Sequence, residues 1–135
     1  MKKRIYIPAL AALLICSALI LFYYKWNKPH QDIAVTTGIK IDATDLFREF
    51  SETEKTATAK YNGKVLEING IVSDISTNQE GKKIVQLQTD DPLFGINCTM
   101  EKNIKLKQGE TVTLKGICSG FTTDVIIIRC YPINK

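Results

Sequence analysis

The first 30 residues constrain this chain more than any other segment, because they contain an apolar run of 20 residues, from Ile5 to Tyr24, without a charged side chain. In a helix that rises about 1.5 Å per residue, such a run reaches roughly 30 Å, which is the thickness of the hydrocarbon core of a bilayer. The sequence therefore predicts an N-terminal transmembrane signal-anchor over residues 1–26, in contact with lipid through residues 5–24.

Two alternatives to a retained anchor stay open. A signal peptide could be cleaved near Cys16-Ser17-Ala18, although the apolar run continues past this point. A lipoprotein signal would place a small residue before the acylated cysteine, whereas Ile15 precedes Cys16. We expect the helix to be retained, because the run is too long and its flanks are unsuited to cleavage.

The charges around the apolar run predict its orientation. Three basic residues precede the run, and two follow it, Lys25 and Lys28. The excess on the N-terminal side predicts a cytoplasmic N-terminus and a C-terminal domain in the periplasm or at the cell surface. Residues 1–28 also hold five of the 18 Lys and Arg residues and no acidic residue, which leaves 13 basic and 14 acidic residues, a charge of −1, for the rest of the chain.

Residues 27–40 contain Pro29 and Gly38 and show no sustained periodicity, so they are predicted to form a linker to a folded domain over residues 41–135. The only histidine, His30, lies in this linker. We expect it to be a solvated residue, and not a metal ligand or a catalytic base.

One amphipathic helix is predicted at the start of the domain. Asp42 is a favourable N-cap residue, and Asp45 lies in the first turn, where an acidic side chain stabilises the helix dipole. Apolar residues then recur at helical spacing and are expected to pack on the following domain: Leu46, Phe47, Phe50 and Ala57.

From Lys64 onward the apolar pattern changes to a period of two residues, which predicts strands. Gly70, inside the first of them, indicates a bulge or a sharp bend. Five short strands with alternating faces fit a small closed barrel better than an open sheet with exposed edges. The five predicted strands are 65–74, 83–89, 94–100, 110–118 and 124–131.

Two segments carry a resemblance to a known family. Residues 61–72, YNGKVLEINGIV, and residues 107–118, KQGETVTLKGIC, are similar to the OB-fold family called tRNA_anti-like. The resemblance covers about residues 42–133 and implies a mainly β fold, with a five-stranded OB-fold barrel preceded by one amphipathic helix. The connection at residues 101–109 departs from the usual OB pattern, because it is too short for more than one turn of helix.

Three cysteines lie outside the anchor: Cys98, Cys118 and Cys130. A bond between Cys118 and Cys130 is disfavoured, because the predicted hairpin separates them by roughly 20 Å at strand rise. In the OB barrel that the resemblance implies, the third and fifth strands are parallel neighbours, and this brings Cys98 and Cys130 together. We predict a disulfide between these two and a free thiol at Cys118. The alternative, three reduced core cysteines, stays open.

OB barrels bind ligands on the face of their second and third strands. Amide and hydroxyl side chains on this face suit a peptide, a glycan or a protein. We therefore expect a membrane-anchored extracytoplasmic binding module with an unknown partner in the cell envelope. The candidate binding residues are the outward-facing Gln86, Gln88, Asn97 and Thr99, with Phe121 at the rim.

Nucleic-acid binding is the alternative function, because the fold supports it in other proteins. The charge of −1 and the absence of an outward aromatic side chain on the second and third strands argue against it, and only Lys102, Lys105 and Lys107 form a small basic cluster. We expect no enzymatic activity, cofactor or metal, because the sequence has no nucleophile–base pair, paired-carboxylate motif or Cys-x-x-Cys spacing.

Overall fold

The structure is a computed structural model that describes residues 3–27 and 32–133. The chain divides into two compact units, and the boundary lies between Asp32 and Ile33. The first unit consists of one helix, and the second contains every strand.

Helix α1, Lys3–Trp26, forms the first unit. Its segment Tyr6–Trp26 has a mean hydropathy of 2.2 and is long and apolar enough to cross a membrane, a property that a signal sequence at the N-terminus shares. The predicted apolar helix is thus confirmed, while its retention as an anchor stays a prediction. His30 lies outside the described residues.

The second unit is mainly β, and its strands close into a barrel, as predicted. Hydrogen-bonded neighbours follow the order β1-β2-β3-β4-β6-β5, and β2 also pairs with β5 to close the ring. The connection between β4 and β5 contains no helix in the described structure. The elements are β1 Ile39–Asp42, α2 Ala43–Glu52, α3 Glu54–Tyr61, β2 Val65–Thr77, β3 Lys83–Leu87, β4 Ile96–Met100, β5 Thr111–Phe121 and β6 Val125–Pro132.

Strand β2 closes the barrel because it is long enough, at 13 residues, to pair with two antiparallel partners in addition to the parallel β1. Residues 65–71 pair antiparallel with β5, and residues 72–77 pair antiparallel with β3. The register with β3 shifts between Val72 and Asp74, which marks a bulge. At Gly70 a Cβ atom would lie 2.9 Å from the Cβ atom of Ala43, so the glycine allows α2 to begin close to the bent strand.

The core lies between the barrel interior and the two short helices. Leu46 and Phe50 of α2 are fully buried, as are Leu66 and Ile68 of β2, where period-two alternation places every second residue inside. Phe50 also stacks on Phe121 of β5, with ring centroids 5.5 Å apart. Each fully buried side chain of this size contributes about 1.5–3 kcal/mol to folding, so α2 is an integral part of the barrel core.

Three local predictions need correction. Strand β1 begins inside the predicted linker, because Ile39 pairs with Leu66 of β2. The predicted single helix ends at Glu52 and restarts after Thr53. Asp42 makes no side-chain capping bond to α2, since its Oδ1 accepts a hydrogen bond of 3.3 Å from the amide of Asn69. A four-residue strand is too short to show a period, and long-range pairing determines its conformation.

The cysteines of the barrel are buried free thiols, and the predicted Cys98–Cys130 disulfide is not formed in the structure. The predicted parallel neighbours, β4 and β6, do bring these two thiols close to each other. Arg129, with a φ of 56°, lies at a bulge in β6, so Cys130 pairs with Met100 and is only a diagonal neighbour of Cys98. Burial raises the pKa of Cys130 strongly, and the contact with Cys98 adds to this effect.

The pairing of Cys98 with Cys130 therefore stays a prediction for the exported protein, since an oxidising compartment preserves disulfides. We expect mass spectrometry of the full-length, unreduced, denatured and alkylated protein to show one alkylated barrel cysteine, Cys118. In a Cys98→Ser variant, Cys130 should become alkylated as well, which is the matched control. Three alkylated barrel cysteines in the unreduced wild type would contradict the pairing.

Substitution of Gly116 tests the packing around these thiols. A Cβ atom at Gly116 would lie 2.6 Å from Sγ of Cys130 and 2.7 Å from Cγ2 of Ile127. Gly116→Ala should therefore lower the free energy of unfolding by about 1–3 kcal/mol, because it overpacks the core. Chemical unfolding of the full-length chain in detergent micelles, followed by circular dichroism, measures this change. Ser119→Ala, at an exposed position on the same strand, should change it by less than about 0.5 kcal/mol, and an equal effect of both variants would contradict the packing.

Candidate functional site

A groove of about 500 Å³ crosses the outer face of β3 and the loop that follows this strand. We call it the acidic groove. Gln86 and Gln88 line it, so it overlaps the β3 part of the face on which OB barrels bind their ligands. Its lining residues are Ser73, Asp74 and residues 86–94.

Strand alternation and cross-strand pairing place the floor of the acidic groove. Val85 and Leu87 are buried in the barrel, so Gln86 between them faces outward. Gln86 pairs with Asp74 on one side and with Asn97 on the other. These three polar side chains therefore form one row across three strands, and Asp74 and Gln86 of this row give the floor a carboxylate and an amide group.

Hydrogen bonds within the loop between β3 and β4 fix one wall of the groove. Oδ1 of Asp91 accepts hydrogen bonds from the backbone N–H groups of Leu93, at 2.8 Å, and Phe94, at 3.0 Å. Oγ1 of Thr89 donates to the carbonyl oxygen of Phe94 at 2.7 Å. The turn that results leaves the Leu93 side chain 76% exposed and Phe94 38% exposed. The wall thus presents two apolar side chains from a hydrogen-bonded loop.

The acidic groove has negative charge at three positions, Asp74, Asp90 and Asp91. Among its described lining residues there is no lysine or arginine. Like charges along a cleft produce a potential that attracts ligands of the opposite sign. The described part of the chain contains no group of three or more His, Cys, Asp or Glu residues that could hold a metal ion. The groove is therefore suited to a cationic group bound by charge and hydrogen bonds.

Two of the five predicted binding residues line the acidic groove, and three lie outside it: Asn97, Thr99 and Phe121. Gln86 and Gln88 line the acidic groove, and Thr99 lies on the outer face of β4, opposite Ile84. The Asn97 amide donates to Asp124 at 3.1 Å, and this aspartate also accepts a hydrogen bond of 2.7 Å from the Gly95 N–H. Asn97 therefore fixes the start of β4 to β6.

Phe121 lies apart from the acidic groove. Its ring is partly buried, stacks on Phe50 and meets the edge of Phe47 at a centroid distance of 6.2 Å. Aromatic pairs of this kind stabilise a core beyond the area that they bury. Phe121 is therefore packed between α2 and the barrel.

Sequence reasoning did not identify the acidic side and the apolar wall of the groove. Asp90 and Asp91 lie in the loop after β3, and their position on the same side as Asp74 depends on the pairing of β2 with β3. Phe94 was expected to face inward as part of a strand, whereas β4 begins only at Ile96. A signal that could have revealed the wall is the apolar residue Leu93 directly after a turn.

A second and larger groove, of about 920 Å³, runs beside β1. We call it the edge groove. Its walls carry ion pairs between Lys60 and Glu49, 2.9 Å apart, and between Arg48 and Asp45. The hydrogen bond from Lys60 is the main reason why the pKa of Glu49 is lowered, while burial acts in the opposite direction. Its lining residues are Ile39, Lys40, Ile41, Asp42, Asp45, Arg48, Glu49, Lys60, Tyr61, Glu67, Asn69, Thr113 and Ile133.

A buried lysine fixes the chain in front of β1. Nζ of Lys115, a residue that is 8% exposed, lies 3.8 Å from Oε1 of Glu67 and donates to the carbonyl oxygen of Ala34 at 3.5 Å. Glu67 in turn lies opposite Lys40 of β1. The segment that enters β1 is thus bound to the outer face of β2 and β5.

Comparisons with known proteins support the fold. The structure of a "putative nucleic acid-binding lipoprotein" from Klebsiella pneumoniae shares 18% identity, covers 79% of this chain and 100% of its own, and has a TM-score of 0.53. At this identity the similarity shows a common fold. Two weaker matches have lower TM-scores. The OBody AM3L09 bound to hen egg-white lysozyme shares 16% identity, covers 56% of this chain and 87% of its own, and has a TM-score of 0.40. Yeast Stn1 and Ten1 share 15% identity, cover 75% of this chain and 65% of their own, and have a TM-score of 0.43.

No curated protein matches this chain. The model of the tRNA_anti-like family matches residues 1–131, which include nearly all of the chain, and this agrees with the OB-fold barrel and with the glycines and strand alternation that carry the resemblance. The chain therefore belongs to the tRNA_anti-like family.

Proposed function

We propose that this protein is a membrane-anchored, extracytoplasmic binding module that holds a basic peptide segment of an envelope protein in its acidic groove. The observation that supports this proposal most is the charge of the groove. Three carboxylates and two glutamine amides line it, and no described lining residue is basic. The module has no catalytic role in this proposal.

Electrostatics favour a cationic ligand over a polyanion at this face. Nucleic-acid affinity depends on Lys and Arg side chains that neutralise phosphates, and single strands also need aromatic platforms. The acidic groove has no described lysine or arginine, and its one aromatic side chain is Phe94 on the wall. A lysine or arginine side chain of a ligand would gain charge-assisted hydrogen bonds from Asp74 and Asp90, each stronger than a bond between neutral groups.

The remaining groups of the acidic groove suit a peptide. The amides of Gln86 and Gln88 can both donate and accept hydrogen bonds, as the main chain of a peptide requires. Leu93 and Phe94 offer apolar contact area on the wall, held by the bonds to Asp91. A basic segment that also carries an apolar side chain therefore matches the groove best.

The compartment in this proposal follows from the N-terminal segment. Helix α1 is long and apolar enough to span a bilayer. The excess of basic residues before it favours export of the barrel. The related fold from Klebsiella pneumoniae is described as that of a lipoprotein, and lipoproteins are proteins of the envelope. The barrel would thus face partners near the membrane surface.

Nucleic-acid binding is the second candidate. The Klebsiella pneumoniae protein is described as nucleic acid-binding. On this chain, Lys102, Lys105 and Lys107 are exposed in the connection between β4 and β5, where they could contact phosphates. They lie outside the acidic groove, so this candidate uses a different surface.

Binding of charged probes separates the two candidates. Full-length protein in lipid nanodiscs is titrated with a fluorescein-labelled lysine- and leucine-containing decapeptide, with a glutamate-containing decapeptide of equal length, and with a 12-nucleotide single-stranded DNA. We expect saturable binding of the lysine peptide alone. Its affinity should fall about tenfold in an Asp74→Asn/Asp90→Asn variant, because two charge-assisted contacts are lost, each contributing about 0.5–1 kcal/mol at an exposed site.

A Glu52→Gln/Glu54→Gln variant is the matched control, since it removes two exposed carboxylates that line neither groove. This control should bind the lysine peptide like the wild type. Two results together would replace the proposed function by the second candidate. The lysine peptide would not bind, and the DNA would bind with an affinity that falls with salt and with loss of Lys102, Lys105 and Lys107.

A further inference from the structure

Strand β1 has one free edge. It pairs with β2 on one side only, in parallel, over Ile39–Asp42. In a strand, about half of the backbone N–H and C=O groups point to each side, so those on the free side face the edge groove. Within the described structure no strand other than β2 pairs with β1, and Asp42 at its end is also the N-cap residue of α2. Such an edge can accept a further strand.

The side chains of β1 are sorted by face. Lys40 and Asp42 lie on the outer face, because they pair with Glu67 and Asn69, whereas Ile39 and Ile41 share the face of the buried residues Leu66 and Ile68. Lys40 is exposed and makes no ion pair in the described part of the chain. Ile39 is 38% exposed at the open edge.

The charges of β1 are complementary to those of a second, antiparallel copy of the same strand. If two copies of β1 run antiparallel with Ile41 on the two-fold axis, Lys40 of one copy lies opposite Asp42 of the other, and this happens twice. Ile41 then meets Ile41. The paired register covers residues 40–42 of each copy, because Ala43 is the buried first residue of α2. Directly opposite residues share a face, so both ion pairs form on the outer face and the isoleucines meet on the inner one.

We propose that a second copy of this chain occupies the free edge of β1 and forms a two-fold symmetric dimer with a continuous sheet through both barrels. Charge complementarity supports this occupant. The two exposed charges of β1, Lys40 and Asp42, have opposite signs and are two residues apart. A two-fold axis at Ile41 therefore places each lysine opposite the aspartate of the other copy.

A four-residue strand contributes few hydrogen bonds, so the dimer is expected to be weak in dilute solution. Two copies whose α1 helices share one membrane or one micelle have a much higher effective concentration, which strengthens a weak contact without any new interaction. The edge groove, at about 920 Å³, leaves space beside β1 for an added strand. The stability of the dimer therefore depends on the shared membrane or micelle as well as on the contact between the β1 strands.

Charge reversal tests both the contact and its register. Lys40→Glu places two acidic pairs across the two-fold axis, and Asp42→Lys places two basic pairs there, so each variant should weaken the dimer roughly tenfold. A one-to-one mixture of the two variants restores both ion pairs, and it should form heterodimers with the wild-type affinity. Native mass spectrometry of the full-length proteins in detergent micelles, at several protein-to-detergent ratios, measures each species.

Two further variants complete the test. The double variant Lys40→Glu/Asp42→Lys should dimerise like the wild type, since both ion pairs are restored with exchanged signs. Lys55→Glu reverses an exposed charge that does not line the edge groove and should leave the dimer unchanged. Circular dichroism should show the same folded content in every variant.

Three outcomes would overturn this proposal. The first is a wild type that stays monomeric at every ratio. The second is an equal dimer fraction in the wild type and both single variants, which would place the contact elsewhere, for example in α1. The third is a mixture of the two single variants that fails to form heterodimers while both are folded, which would exclude the antiparallel register about Ile41.

Discussion

The pairing of β2 with two antiparallel strands, β5 and β3, is the constraint on which the rest of the second unit depends. Its first half is bonded to β5 and its second half to β3, and the register shift after Val72 gives the bend between them. Without that bend the sheet would stay open and its edges would be exposed. Strand β2 contributes side chains to both grooves: Asp74 lines the acidic groove, and Glu67 and Asn69 line the edge groove.

Charges are distributed unevenly over the barrel, and this distribution determines which ligands each surface suits. Ion pairs neutralise the helical wall of the edge groove, whereas Asp74 and Asp90 of the acidic groove remain exposed beside glutamine amides. The exposed lysines at 102, 105 and 107 lie on a separate loop. The OB fold binds nucleic acids in other proteins through basic side chains, whereas the acidic groove of this chain suits ligands of positive charge.

The parts of the fold that depend on alternation could be predicted from the sequence, and those that depend on long-range pairing could not. Five strands and the outward positions of Gln86 and Gln88 follow from a period of two. Strand β1 was missed because four residues show no period, and Phe94 was misplaced because the carboxylate of Asp91 holds the preceding turn. Phe121 packs on Phe50 because α2 packs against the barrel core, a contact that no local pattern indicates.

The position of the barrel relative to the membrane tests the central claim of the proposed function most directly. Intact cells that produce the full-length protein with a C-terminal epitope are treated with a protease that cannot cross the inner membrane, after the outer layers have been permeabilised. A barrel exported behind a retained α1 predicts loss of the epitope, while a cytoplasmic control protein stays intact. An epitope that is degraded only after lysis of the inner membrane would contradict the account, because the barrel would then lie in the cytoplasm.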